Sequence, residues 1–100
     1  MFVTLKKFKL EKGFGNKLSE GFLKKGIVEN SKGFVKLEVL LNNNYQDYDL
    51  IIIKIYWESK EDFINFERSP EHLKSHKEKK IRPKEIIDVS FEMYEIIGMK

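Results

Sequence analysis

Two runs separated by a polar break set the strongest limit on how this chain can fold. The first, "GFVKLEVLL" (33–41), alternates: Val35, Leu37, Val39 and Leu41 fall on one face, Lys36 and Glu38 on the other. A period of two belongs to a strand half buried against another layer, not to a helix. "NNNYQDYD" then supplies the polar residues that turn a chain, and Leu50 to Trp57 is a second, β-branched run. Together they predict a hairpin on which the remaining elements must pack.

Upstream, Phe2 to Leu10 reads as a first strand, with Phe2, Phe8 and Leu10 at even positions and Val3 and Leu5 at odd ones. After the Gly13 break, Phe14, Leu18 and Phe22 recur every four residues, the spacing of one helix face, and Gly26 is placed to end that helix. Downstream, Ser59 with Asp62 three residues on forms a capping box with Asp in place of Glu, opening a helix that carries Phe63 and Phe66 inward. Ser69-Pro70 opens a fresh helix, because proline is tolerated at the first helical position and disfavoured inside. His72 and His76 lie four apart on one face of it. After Pro83, "EIIDVSFEMYEII" sets Ile87, Val89, Phe91 and Met93 on one side of a last strand.

The order β-α-β-β-α-α-β predicts an α+β chain of ferredoxin-like βαββαβ plan, its second helix split in two, as a single domain over residues 1–100. Such a sheet has one face under helices and one bare. These strands carry apolar residues on both faces, notably Leu50 to Ile53, so the bare face needs burial, and a second copy of the chain is the simplest cover. A homodimer is the expectation.

Composition removes several function classes. With no cysteine, disulfides, thiolate metal sites and cysteine nucleophiles are out, and any metal must be held by nitrogen or oxygen. A net charge of +3, from 19 basic and 16 acidic residues dispersed along the chain, describes a solvated surface rather than a nucleic-acid stripe. The apolar runs are far short of a membrane span, and "MFVTLKKFKL" lacks a signal-peptide core, so the expected compartment is the cytoplasm, with no membrane partner. The His-x-x-x-His spacing lacks the Glu that a zinc protease needs after the first histidine, where Leu73 stands.

Trp57 at a strand end, then Ser59, Lys60 and Phe63 at a helix start, then Ser69 and a histidine seven residues later, His76, form a spaced set. This set resembles the heme-degrading monooxygenases of the IsdG type, within the antibiotic biosynthesis monooxygenase superfamily of dimeric α+β barrels. The opening "MFVTLKKFKLEKG", the middle "GIVENSKGF" and the late "RPKEIIDVSFEMYEI" are similar to its bacillus-type branch.

The resemblance implies that His76 is the axial ligand of heme iron and that heme, as both cofactor and substrate, sits between sheet and helices. O2 and an external electron donor, a reductase or small reductant, then open the porphyrin and release iron. Phe22, Phe63 and Phe66 are of a kind more often found in the core, but the helix face bearing Phe63 and Phe66 is the one expected to meet the macrocycle, Phe66 first, with Phe22 a further candidate, and Lys77, Lys79, Lys80 or Arg82 is expected at the propionate edge. At two positions the chain departs from the family pattern. Lys6 stands where the family commonly has an asparagine near the iron-bound oxygen, and Phe66 where it commonly has a tryptophan that presses the porphyrin out of plane. Two other functions are compatible with the same residues: a heme carrier that does not degrade its ligand, and a cofactor-independent oxygenase of the same superfamily. His72 is expected to face solvent or cap its helix.

Overall fold

In the computed structural model, which describes residues 1–24, 26–78 and 83–100 and only the backbone of 75–78, four strands pair antiparallel in the order β2-β3-β1-β4. They are β1 (Phe2–Glu11), β2 (Phe34–Asn42), β3 (Tyr48–Trp57) and β4 (Ile86–Glu95). Helix α1 (Gly15–Leu23) follows β1, and α2 (Lys60–Glu67) and α3 (Pro70–Glu78) follow β3. A single 3-10 turn, Val28–Asn30, links α1 to β2. This is the α+β, ferredoxin-like order that the sequence predicts, with the second helix divided.

The helices cover one face of the sheet, to which β1 turns Phe2, Thr4, Lys6, Phe8 and Leu10 and β3 turns Ile51, Ile53, Ile55 and Trp57. Burial on that face divides in two. At one end Phe14, Leu18 and Phe22 of the α1 segment pack on Phe8, Leu10, Ile51 and Ile53. At the other, Phe63, Ile64 and Phe66 of α2 pack on Phe2 and fully buried Trp57. Each large side chain buried this way contributes about 1.5–3 kcal/mol. Between the two clusters the middle of the sheet lies open.

Three expectations need correction. Helix α1 stops at Leu23 with Lys24 already extended, so Gly26 does not end it; its amide instead donates to Glu29 Oε2 at 2.7 Å. In β2 the register shifts between Phe34 and Lys36, which leaves Val35 exposed and packs Phe34 edge-on against Trp57. In β4 Ile86 and Asp88 face Leu10 and Lys9, so Ile87 is the extra residue of a β-bulge, and Ile86 joins the core in its place.

Helix α1 has no side-chain cap of its own. The buried Asp49 carboxylate on β3 serves instead, accepting from the Gly13 and Gly15 amides at 3.0 and 3.2 Å, with the Lys12 ammonium 3.3 Å away. Burial alone would push this carboxyl up, but the two amides and Lys12 outweigh it and hold it below the ordinary aspartate value. Among the described residues no helix is long and apolar enough to cross a membrane.

Candidate functional site

The gap between the two apolar clusters is a cavity of about 1040 Å³. Its floor is the open middle of the sheet: Thr4 and Lys6 of β1, Leu37 of β2, Ile53 and Ile55 of β3, Phe91 and Met93 of β4. Phe22 at the end of α1 forms one wall, and Ile27 and Val28 of the linking turn another. The wall opposite Phe22 is built from Phe63, Phe66, Glu67 and His72, above Trp57. Ligand sites commonly span about 300–1,000 Å³ and combine apolar walls with few polar groups. This cavity is of that kind, with the exposed Lys24, Lys60 and Arg68 at its rim.

Local chain chemistry explains why the aromatic wall stands where it does. Ser59 caps α2 by accepting from the Asp62 amide at 3.2 Å, the first half of the predicted capping box, while the Asp62 carboxylate meets the Ser59 hydroxyl, which donates to it at 3.0 Å. The helix then buries Phe63, whose ring lies 5.9 Å from that of Trp57 and 6.0 Å from that of Phe91. Phe66, one turn on, sits 5.4 Å from the Trp57 ring and 4.6 Å from that of His72. At the elbow between α2 and α3 the Ser69 hydroxyl donates to the Phe66 carbonyl at 2.7 Å and accepts from the His72 amide at 3.2 Å.

Of the residues singled out in the sequence, Lys6, Phe22, Phe63 and Phe66 line this one cavity. Lys6 reaches it from β1, its ammonium 5.6 Å from the Phe8 ring centre. The His76 side chain and Arg82 lie outside the described residues; the α3 backbone carries His76 one helical turn beyond His72. His72 corrects its expectation. Its side chain is only 16% exposed, lines the cavity, and places Nε2 3.1 Å from Glu67 Oε2. A histidine near a helix start gives no sign of this, because the contact depends on how α3 folds back on α2. Trp57, at the end of its strand as the sequence predicts, packs against Phe34, Phe63 and Phe66 and also lines the cavity, and its buried Nε1–H has no acceptor among the described residues.

Residues 1–78 match the family described as Antibiotic biosynthesis monooxygenase. The chain belongs to that family. As a member of the antibiotic biosynthesis monooxygenases it has close relatives: a heme-degrading monooxygenase of Bacillus thuringiensis (strain Al Hakam) is 38% identical over 96 residues, which span 96% of this chain and 90% of the relative. A crystal structure from Bacillus cereus that bears the family's name superposes with a TM-score of 0.87 at 33% identity, covering 99% of this chain and 93% of that one. The heme-degrader MhuD of Mycobacterium tuberculosis, solved with two hemes in its active site, superposes with a TM-score of 0.75 over 100% of this chain and 99% of its own. At 22% identity that likeness is one of fold. The resemblance read from Trp57, Ser59, Phe63, Ser69 and His76 is thus borne out at the level of the family, and curated relatives in Bacillus bear the heme-degrading name.

Proposed function

We propose that this antibiotic biosynthesis monooxygenase is a cytoplasmic heme-degrading enzyme that binds heme in the cavity between helices and sheet. There it opens the porphyrin with O2 and electrons from an external donor, releasing iron. The observation that carries the reading is the cavity itself: a slot of about 1040 Å³ between two apolar clusters, aromatic on its walls, with Lys24, Lys60 and Arg68 beside the exposed carboxylate of Glu29 at its rim. Such a slot suits a flat, largely apolar ring that bears carboxylates at one edge. The unmet Trp57 N–H adds a donor beside it. The names of the Bacillus relatives support the choice of ligand.

Bound heme supplies the redox-active iron and is itself the molecule oxidised. The chain's own residues hold it. His76 would hold the iron, one turn beyond a histidine that does line the cavity. Neutral imidazole is a good iron ligand, and Pro70 and the Ser69 cap fix the start of its helix. Phe22 and Phe63, which line the cavity, would exclude water from a bound ring. Phe66 is proposed to press on the macrocycle as a smaller ring than tryptophan, without its N–H. Lys6 offers an ammonium donor from the floor, and Arg82 is proposed for the carboxylate edge. A homodimer is proposed to bury the sheet face away from the helices, where Leu40 and Tyr94 are exposed.

Aerobic titration with hemin followed by ascorbate tests the reading. A Soret band that forms on binding and bleaches with reductant is expected. A band that persists identifies a carrier, and an unchanged hemin spectrum points to a cofactor-independent oxygenase. His76→Ala is expected to abolish the tight complex.

A further inference from the structure

Phe66 is held from two sides that differ in kind. On the sheet side stands Trp57, fully buried and in ring contact with Phe34 and Phe63, so it cannot shift without disturbing a packed cluster. On the other side stands His72, which belongs to a separate helix beyond the Ser69 elbow. The ring contact between this imidazole and the phenyl of Phe66 is reinforced by polar ones. Two polar contacts place it there. The Glu67 carboxylate engages its Nε2 at 3.1 Å, and Ser69 Oγ bridges the Phe66 carbonyl and the His72 amide.

We infer that His72, anchored by Glu67, is a positioning residue that fixes the ring of Phe66 at the cavity wall. Two of the polar contacts around the elbow involve neighbours of Phe66 in the chain, so the ring is braced by its own helix end and by the first turn of the next. A phenyl ring offers less contact area than the larger indole, and a helix allows it two staggered χ1 positions, so a neighbour on its outer side helps to select one of them. The imidazole closes that freedom at a centre-to-centre distance of 4.6 Å, within the range of favourable aromatic contact. The catalytic consequence rests on the proposed function, since it concerns a ring held against bound heme; the bracing itself is a property of the unliganded chain.

Two readouts separate these levels. In the protein without hemin, the emission of Trp57, the one tryptophan of the chain, reports the ring beside it. His72→Leu and Glu67→Ala are expected to raise acrylamide quenching of that emission at least twofold, while His72→Gln, whose amide can still meet Glu67 and lie against the Phe66 ring, stays near wild type. With hemin bound, His72→Leu is expected to keep its affinity within about threefold and to bleach at least fivefold more slowly with ascorbate, with His72→Gln restoring the rate to within twofold. Unchanged quenching in both His72→Leu and Glu67→Ala, with folded far-ultraviolet spectra, overturns the brace. A His72→Leu variant that loses hemin affinity and rate together also overturns it, because His72 then binds rather than positions. If the wild type leaves the hemin spectrum unchanged, the functional reading fails while the quenching series still decides the brace.

Discussion

The Gly15 amide donates to the Asp49 carboxylate across 3.2 Å, from the first residue of α1 to a buried position on the inner strand β3. A side chain 34 residues away therefore does the work of an N-cap. Replacing Asp49 with Asn weakens the acceptor for two amides and removes the partner charge of Lys12, at an expected cost of about 1–3 kcal/mol. Because the folded-state carboxyl is held below its ordinary value, its contribution is present above the unfolded value of about 3.9 and is lost as pH falls through the lower folded value. Urea denaturation of wild type and Asp49→Asn should show a gap at neutral pH that narrows only in acid below about pH 4. A gap independent of pH would contradict the assignment.

Gly33 has φ +83°, and a Cβ added there would run into the Asp62 side chain that belongs to the α2 cap. Its carbonyl also accepts from the Glu58 amide at 2.8 Å, tying the start of β2 to the end of β3. Gly33→Ala is expected to destabilise by about 1–2 kcal/mol from the backbone alone, and by more through the displaced cap. Thermal unfolding checks the sign, and Asp62→Ala in the same background should recover part of the loss.

On the sheet face away from the helices, Glu92 joins Lys7 at 2.6 Å and Tyr94 at 2.7 Å. The hydrogen bond to Glu92 raises the Tyr94 phenol above its ordinary value, and burial and the Glu92 charge add to it. Glu92→Gln is therefore expected to lower the pH at which Tyr94 ionises, read as tyrosinate absorbance against a Tyr94→Phe control. A raised folded-state value also means that this contact supports the fold below the ordinary tyrosine range and ceases to do so as pH rises through the folded-state value.

Ser69→Ala removes the cap of α3 and the hydroxyl that bridges Phe66 and His72. The expected cost is about 0.5–2 kcal/mol. Thermal unfolding gives that figure, and hydrogen exchange should show the loss of protection concentrated at the His72 amide rather than spread over the sheet.

Much of this architecture was readable because it rests on local rules. The alternation of Leu37 and Val39, the Ser59–Asp62 pair and the Ser69-Pro70 break each specify one short element by its own stereochemistry. The aromatic residues Phe22, Phe63 and Phe66 could be sent to one face because helical spacing is strict. What escaped depends on distant partners. Periodicity alone puts Val35 and Ile87 inward, but one extra residue in each strand moves Phe34 and Ile86 into their places. Asp49 looks like turn chemistry until α1 arrives above it. His72 looks solvated until the elbow folds α3 back so that its ring meets Phe66.

Those two bulges occupy the two outermost strands, β2 and β4, at diagonally opposite corners of the sheet. Each interrupts the regular ladder on a rim that would otherwise offer unpaired amides and carbonyls to a stranger's extended segment. A chain this rich in aromatic and β-branched residues thus carries, at both margins, a built-in discouragement to runaway strand addition and fibre growth.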